Sequence, residues 1–227
     1  MNIIITGAGK GIGFETAKHA SESPNNKVLV ICRNILEINK LKRENVKSVE
    51  FDLSNIDSYS DLSSIISDYF HSGIDVLINN AGQFLTKSFA ETKQGDFEKM
   101  LNINLKSPYF LTQALLPFFN KNAHILNISS MGGYQGSLKF PGLSAYSISK
   151  GALCTLTEAL SAELSELNIK VNALCLGSVS TQMFQEAFPN FEASANAQDM
   201  GAYISNFAQT GHLFYNGKIL PVSLTIP

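Results

Sequence analysis

The sequence predicts an α/β domain with a central, mostly parallel seven-stranded sheet flanked by helices on both faces. Three observations lead there. Short β-branched runs alternate with longer amphipathic stretches along the 227 residues. The runs are apolar at consecutive positions, so both faces of each strand must be covered, as in a parallel sheet. A glycine-rich turn follows the first run and opens the first helical pattern, the order of a doubly wound, Rossmann-like unit with short crossover connections.

Taken along the chain, the first strand is expected over 2–6 (NIIIT) and the first helix over 12–22. KVLVIC (27–32) is the second strand, followed by a short helical pattern near 34–43. SVEF (48–51) and DVLIN (75–79) are the third and fourth strands, separated by a helix over 57–70. A long helix over 96–120 leads into AHILNIS (123–129), and another over 145–167 leads into KVNALCL (170–176). A weaker helix near 198–209 precedes the last strand, KILPVS (218–223). Pro and Gly cluster only near 132–142, which marks a loop rather than a boundary. No repeat, low-complexity tract or linker interrupts the pattern, so 1–227 is expected to be one domain.

Hydrophobic residues at 44% and charged residues at 16% describe an ordered, rather apolar globule. A net charge of −2 gives no electrostatic reason to expect nucleic acid or an anionic membrane as partner. Runs such as IDVLI are far too short to cross a bilayer. The N-terminus runs into NIIITG with neither a basic segment nor a cleavage site, so no export signal is expected. Cys32, Cys154 and Cys175 are widely spaced in apolar runs and read as buried thiols of a cytoplasmic protein. The four histidines show no ligand spacing, and no metal site is expected.

The turn TGAGKGIG (6–13) is spaced Gly7-x-x-x-Gly11-x-Gly13, and Ile12 falls where G-x-G-x-x-G would put its last glycine. Its physics is still that of a phosphate-binding turn. Glycine lets the backbone turn tightly and approach a pyrophosphate whose charge sits at a helix N-terminus. A tight turn that binds nothing would not need four glycines in seven residues, Gly7, Gly9, Gly11 and Gly13. The end of the second strand should reveal the choice of cofactor. An acid there would take the ribose 2′-hydroxyl of NAD, whereas an Arg suits the 2′-phosphate of NADP. VLVICRNI offers no acid, but Arg33 follows the strand directly, and Lys10 adds a cation inside the turn. The planar guanidinium fork matches phosphate. NADP(H) is expected in preference to NAD(H).

AYSISKGAL (145–153) carries Tyr146 and, one helical turn later, Lys150. A chain with this many Tyr, Lys and Arg would give about 0.5 such pairings by chance, so the pair needs its context. That context is an ordered set of signals over residues 1–183: TGAGKGIG, then DL (52–53), NNAG (79–82), NINL (102–105), NISS (127–130), YSISK (146–150) and VNALCLGSVST (171–181). With these the chain resembles the short-chain dehydrogenase/reductase family. The resemblance implies an NAD(P)(H)-dependent oxidoreductase in which Tyr146 exchanges a proton with a carbonyl or alcohol oxygen. It implies that Ser130 hydrogen-bonds the same oxygen, with Ser129 the alternative serine, and that Lys150 holds the nicotinamide ribose. Asn104 would hold a water linking Lys150 to solvent. Asp52 and Leu53 would flank the adenine, and Asn80, Ala81 and Gly82, with Asn79, would support the sheet and line the groove beside Gly7, Gly9, Lys10, Gly11, Ile12, Gly13 and Arg33. Gly177, Val179 and Thr181 would meet the nicotinamide end. A free phenol ionises near pH 10, and a neighbouring ammonium is expected to lower that toward the working range.

The chain departs from the family pattern in several places. Leu176 stands where the family usually has proline, which should loosen the turn before Gly177. GGYQGSLKFPGL (132–143) is an enlarged loop expected beside the active site. The segment 182–200 must supply any substrate cover, and Phe184, Phe188 and Phe191 could form an apolar lid or an ordinary core-facing helix side. The tail lacks the family's Asp-Gly-Gly and ends in SLTIP, a segment expected at subunit contacts. Helices 96–120 and 145–167 are apolar on more than one face, which predicts a homodimer or homotetramer. The leading reading is an NADPH-dependent carbonyl reductase of a small molecule, or the reverse dehydrogenase. A 3-oxoacyl thioester reductase, a non-catalytic NADP(H) sensor, and an epimerase or dehydratase are the alternatives.

Overall fold

The computed structural model describes residues 1–224, so the end of the SLTIP tail lies outside the described residues. Seven strands form one sheet: β1 (Asn2–Thr6), β2 (Lys27–Cys32), β3 (Val46–Glu50), β4 (Ile74–Asn79), β5 (Phe119–Ser130), β6 (Lys170–Leu176) and, last in the chain, β9 (Ile219–Val222). Their order across the sheet is β3-β2-β1-β4-β5-β6-β9, and every pairing is parallel. The order reverses between β1 and β4. In open α/β sheets that reversal opens a crevice at the carboxyl ends of the strands.

The sheet is covered on both sides because its strands are apolar on both. Ile3 and Ile5 of β1 join the core under α1 (Gly11–Ala20) and α8 (Ala197–Thr210), while Ile4 joins the opposite one, under α3 (Tyr59–Tyr69) and α5 (Ser107–Leu115). Val28 and Val30 of β2 divide from Leu29 and Ile31 in the same way, following the two-residue period of a strand. Each fully buried Ile or Leu contributes about 1.5–3 kcal/mol. On the α8 side the packing is close enough that a Cβ on Gly201 would lie 2.5 Å from that of Glu15. His124 of β5 pins the same helix: one ring nitrogen meets the Ala208 carbonyl at 2.8 Å, and the other meets Asn172 Nδ2 at 3.0 Å.

The expected 34–43 helix shrinks to α2 (Leu36–Asn39), because Lys42 adopts a left-handed φ of 49° that ends any helical path. The expected 96–120 helix is broken into α4 (Gln94–Leu101), a π-helical turn over Asn102–Lys106, and α5. Pro108 has no N–H to give the Asn104 carbonyl, so the regular i→i−4 ladder cannot run through this point. Pro117 then closes the helix with a 3₁₀ turn, and β5 begins at Phe119. The 145–167 pattern is α6 (Ser144–Glu163) followed by one 3₁₀ turn. Three further elements carry no clear signal in the sequence: β7 (Val179–Ser180), α7 (Gln182–Ala187) and β8 (Ala195–Asn196), with β7 and β8 forming a two-stranded parallel ribbon. Among the described residues, no helix is long and apolar enough to cross a membrane.

Candidate active site

The glycine turn leaves β1 against the loop that leaves β4. Gly7 takes φ +68°, and a Cβ there would sit 2.6 Å from the Ala81 Cα, so only glycine fits. Thr6 ties the two loops together: its hydroxyl accepts the N–H groups of Asn80 and Ala81, both at 3.0 Å, and donates to the Ile78 carbonyl. Asn80 Nδ2 returns hydrogen bonds to the carbonyls of Thr6 (2.9 Å) and Gly7 (3.3 Å). A Cβ on Gly13 would meet that amide at 2.3 Å. Ile12 is half-buried against the core beneath the turn, and a Cβ on Gly9 would meet the Asn34 carbonyl at 2.5 Å. The first turn of α1 contains no acidic side chain, so its positive end is not neutralised from within. These are the properties of an anion cradle, and a dinucleotide pyrophosphate fits it.

At the end of β2, Arg33 is exposed directly after the strand. Asp52 is held below the usual carboxylate range, first by the Ser54 N–H and hydroxyl at 2.9 and 2.8 Å and to a lesser degree by the Arg33 charge. Leu53 turns its side chain inward. Its side chain is buried in the core and its carbonyl accepts the Tyr59 hydroxyl at 2.6 Å, which leaves only its N–H to face a ligand. Lys10 is not a free cation either; Nζ donates to Gln182 Oε1 at 3.0 Å, joining the glycine turn to α7. A Cβ on Gly11 would lie 3.7 Å from the Thr181 methyl, so these two segments face each other.

Strands β5 and β6 supply the opposite wall. Neighbouring residues of a strand point to opposite faces, which separates the two serines. Ser129 Oγ is buried, donates to the Lys150 carbonyl at 2.9 Å and receives the Cys154 thiol at 3.3 Å. Ser130 Oγ accepts the Gly132 N–H at 3.1 Å and reaches the Tyr146 phenol. Burial pushes the phenol above its ordinary value, and the Ser130 hydrogen bond offsets part of the rise. The ammonium expected to lower it is turned elsewhere: Lys150 Nζ donates to the Ile128 carbonyl at 2.8 Å. Burial in turn brings Lys150 down to about 8. The sequence-level expectation of a phenol lowered by its lysine is therefore corrected, because desolvation outweighs the charge here.

Asn104 is fully buried inside the π-helical turn. Its Oδ1 accepts the Gln83 N–H at 2.8 Å, and its Nδ2 donates to the Gln83 carbonyl and the Ser149 hydroxyl, both at 2.9 Å. Ser149 in turn donates to the Tyr146 carbonyl. Gly82 lies between: a Cβ there would be 3.4 Å from Lys150 Nζ and 3.5 Å from Asn104 Oδ1. Deeper in, Asn79 donates to Asn127 and Asn127 to Thr157, a buried chain from β4 through β5 to α6.

Leu176 does not loosen its turn. It is buried as the last residue of β6, paired with both Ser130 and Val222, so the ladder runs one residue further than a proline would allow. Gly177 then packs on the last strand, where a Cβ would lie 2.5 Å from Ser223 Oγ. Val179 is buried in β7, and the Thr181 hydroxyl accepts the Phe184 N–H at 3.1 Å as the cap of α7, which leaves its proton free to donate. The enlarged loop begins with a 3₁₀ turn, Met131–Gly133, pressed onto α6 so closely that a Cβ on Gly133 would be 2.4 Å from the Lys150 carbonyl carbon. Farther out, Lys139 ties the loop to itself through the Tyr134 and Ser137 carbonyls.

Phe184, Phe188 and Phe191 form a chain of rings, with centroids 5.3 and 6.1 Å apart, outside the core clusters. They meet Phe84, unmarked in the sequence reading, whose ring lies 5.6 Å from Phe188 and 4.6 Å from Tyr146. Its signal was its place two residues beyond NNAG, on the loop that carries Gly82.

Comparison with known proteins agrees with this geometry. A family model described as short chain dehydrogenase matches residues 1–191. An uncharacterized oxidoreductase of Staphylococcus aureus (strain MW2) is 29% identical over 220 residues, covering 94% of this chain and 93% of that protein. Among solved structures, a short chain dehydrogenase from Burkholderia cenocepacia in complex with NADP superimposes with a TM-score of 0.84 at 23% identity, covering 97% of this chain and 95% of the other. A 3-ketoacyl-(acyl-carrier-protein) reductase from Brucella melitensis complexed with NADH does so with a TM-score of 0.85 at 24% identity, covering 97% and 96%. A glycine cradle at the sheet's reversal, a Tyr-x-x-x-Lys helix beside it and a family match over most of the chain have one explanation: the protein belongs to the short-chain dehydrogenase family and is a dehydrogenase/reductase.

Proposed function

We propose that the protein reduces an uncharged carbonyl to an alcohol, or runs the reverse reaction, with NADPH preferred over NADH. The observation that carries this reading is the meeting of Ser130, Tyr146 and Lys150 around Gly82 and Gly132 at the carboxyl ends of β4 and β5. In this proposal Gly7, Gly9, Gly11, Ile12 and Gly13 present backbone to the pyrophosphate, and Asn80, Ala81 and Gly82 line the groove between it and the reacting end. Asp52 and the backbone of Leu53 face the adenine, and Gly177, Val179 and Thr181 the nicotinamide. The Burkholderia protein holds NADP and the Brucella protein NADH, so the choice must lie in a chain's own side chains. Here Arg33, exposed directly after a strand that ends without an acid of its own, favours the 2′-phosphate.

When bound, the reduced nicotinamide supplies the hydride. The protein's part is the proton and the charge. Tyr146 gives its phenolic proton to the carbonyl oxygen, and Ser130 Oγ donates to the same oxygen as negative charge develops. A phenol held above its ordinary value keeps its proton at neutral pH, which suits the donor role and so the direction of reduction. Lys150 spends one N–H on the Ile128 carbonyl and has two left for ribose hydroxyls. Both N–H groups of the Asn104 amide are committed, and its Oδ1 already accepts from Gln83. A relay water linking Lys150 to solvent would therefore be held by the Asn104 carbonyl, which Pro108 cannot engage.

The same unit carries the groove and the proton donor, consistent with one domain. Tyr109 and Phe110 on α5 and Ile148 on α6 are exposed apolar groups on the helices expected to pair, which supports a homodimer or homotetramer. The test is NADPH oxidation, followed by absorbance, across a panel of carbonyl compounds. Turnover that needs Tyr146 supports the reading. Tight NADPH binding without turnover, unchanged by Tyr146→Phe, would make the protein a dinucleotide sensor instead.

A further inference from the structure

The geometry points to a substrate whose carbonyl carries an aromatic ring: we infer that Phe84 and Phe188 form an aromatic clamp that selects uncharged aryl carbonyl compounds. The inference rests on Tyr146 being the proton donor proposed above, because it is measured outward from that phenol.

Phe84 stands against the Tyr146 ring with centroids 4.6 Å apart and planes inclined at 58°. In the inferred pose, a substituent on the carbonyl carbon beside Tyr146 lies against the Phe84 ring. Phe188 approaches Phe84 at 5.6 Å and 67°, edge to face, and Phe184 and Phe191 extend the row. Phe84 comes from the loop after β4, whereas Phe188 comes from the end of α7, so two independent segments converge on one apolar wall.

These rings do not complete the protein's own core. Phe84, Phe184 and Phe188 are half-buried, Phe191 is 73% exposed, and none belongs to the core clusters. A row of partly open rings with mutually inclined planes offers faces and edges to a further ring, the arrangement that aromatic quadrupoles favour. The ring-bearing segment 182–192 carries two carboxylates, Glu186 and Glu192, and no cation. Lys87 pairs with Asp96 at 2.6 Å, Lys139 donates to the Tyr134 and Ser137 carbonyls, and Glu186 accepts from Gln182 at 2.7 Å. A carboxylate or phosphate on the substrate would lose its hydration against the rings, with Lys87 already neutralised by Asp96 and the charges of the ring-bearing segment of its own sign.

Three ketones of one skeleton separate the contributions: methyl phenyl ketone, methyl cyclohexyl ketone and 4-acetylbenzoate. With NADPH and the full chain, kcat/KM is expected to favour the phenyl over the cyclohexyl ketone by roughly tenfold, and over the benzoate by more. Phe84→Leu and Phe188→Leu keep an apolar group but remove a ring, and each should bring the phenyl-to-cyclohexyl ratio toward one. Phe188 lies away from Tyr146, so Phe188→Leu decides even if Phe84→Leu does not fold. Calorimetric titration of the NADP⁺-loaded protein with each ketone reads the clamp without turnover and should give the same order. Equal or better use and binding of the cyclohexyl ketone, or a ratio that neither variant moves, would overturn the inference. Tight phenyl-selective binding with no turnover of any ketone would keep the clamp and remove the reductase reading instead.

Discussion

Asn104 grips the backbone of Gln83 at two points, accepting its N–H at 2.8 Å and donating to its carbonyl at 2.9 Å. A side-chain amide here does the work of a neighbouring strand. It fixes the loop that carries Gly82 and Phe84 to the broken helix between α4 and α5. Asn104→Ala would leave both Gln83 groups without these partners, and the expected loss is about 2–4 kcal/mol of unfolding free energy. Asn104→Asp should fare worse, since a carboxylate would face the Gln83 carbonyl. Urea midpoints at constant m value check both, and the NADPH-dependent rate should fall with them.

Lys150 makes stability depend on pH in the alkaline range. Its folded-state value is brought down to about 8, from 10.5, by burial. Between those values the unfolded chain binds the extra proton, so stability rises with pH across that window. Relative to Lys150→Met, the wild-type protein should gain about 3 kcal/mol between pH 8 and pH 10.5. Where Lys150 must be charged to hold ribose, kcat/KM should fall as pH passes about 8, while dissociation of Tyr146 comes later. Denaturation series at three pH values and a pH–rate profile test the two effects separately.

His124 acts at the acid end. Buried between the Ala208 carbonyl and Asn172, with His212 nearby, it is lowered to about 4. Its neutral form is the one that fits. The contribution is full above about 6.5, the free histidine value, and is lost as pH falls through about 4. It amounts to about 3 kcal/mol. His124→Asn should be less stable at neutral pH but should show a flatter slope between pH 6.5 and 4. Melting curves across that range decide it.

Arg33→Asp tests the choice of cofactor. The exposed guanidinium after β2 is replaced by the acid that the strand otherwise lacks. NADPH affinity should drop by at least one charge-assisted contact, on the order of 1.5–3 kcal/mol, while NADH binds as well or better. Titration with both dinucleotides gives the ratio, and an unchanged ratio would assign the 2′-phosphate to another residue.

Where local pattern decides structure, the sequence was a good guide. β1, β2 and β6 run over the expected residues because their apolar runs leave a buried parallel strand as the only state that covers both faces. The positions of Gly7 and Gly13 were legible for a similar reason: close approach of the Ala81 backbone and of the Asn80 side-chain amide admits no Cβ. What stayed hidden depends on partners distant in the chain. The break at Asn102–Lys106 needs Pro108 together with the grip on Gln83, and an amphipathic pattern records neither. The burial of the Leu53 side chain was hidden too, because a motif position does not say which way a side chain turns. The lysine effect on the phenol failed because spacing gives proximity but not the competing Ile128 carbonyl or the cost of burial. The even choice for Phe184, Phe188 and Phe191 was undecidable without Phe84, whose meeting with Tyr146 is made only by the fold.

The central claim is that the Tyr146 phenol is the proton donor of a reductase, and the most direct measurement is Tyr146→Phe assayed two ways. NADPH affinity by titration should stay close to that of the wild-type protein, while kcat for a reducible ketone should fall by several orders of magnitude. Wild-type turnover in the variant would contradict the account, and so would a loss explained wholly by weaker NADPH binding.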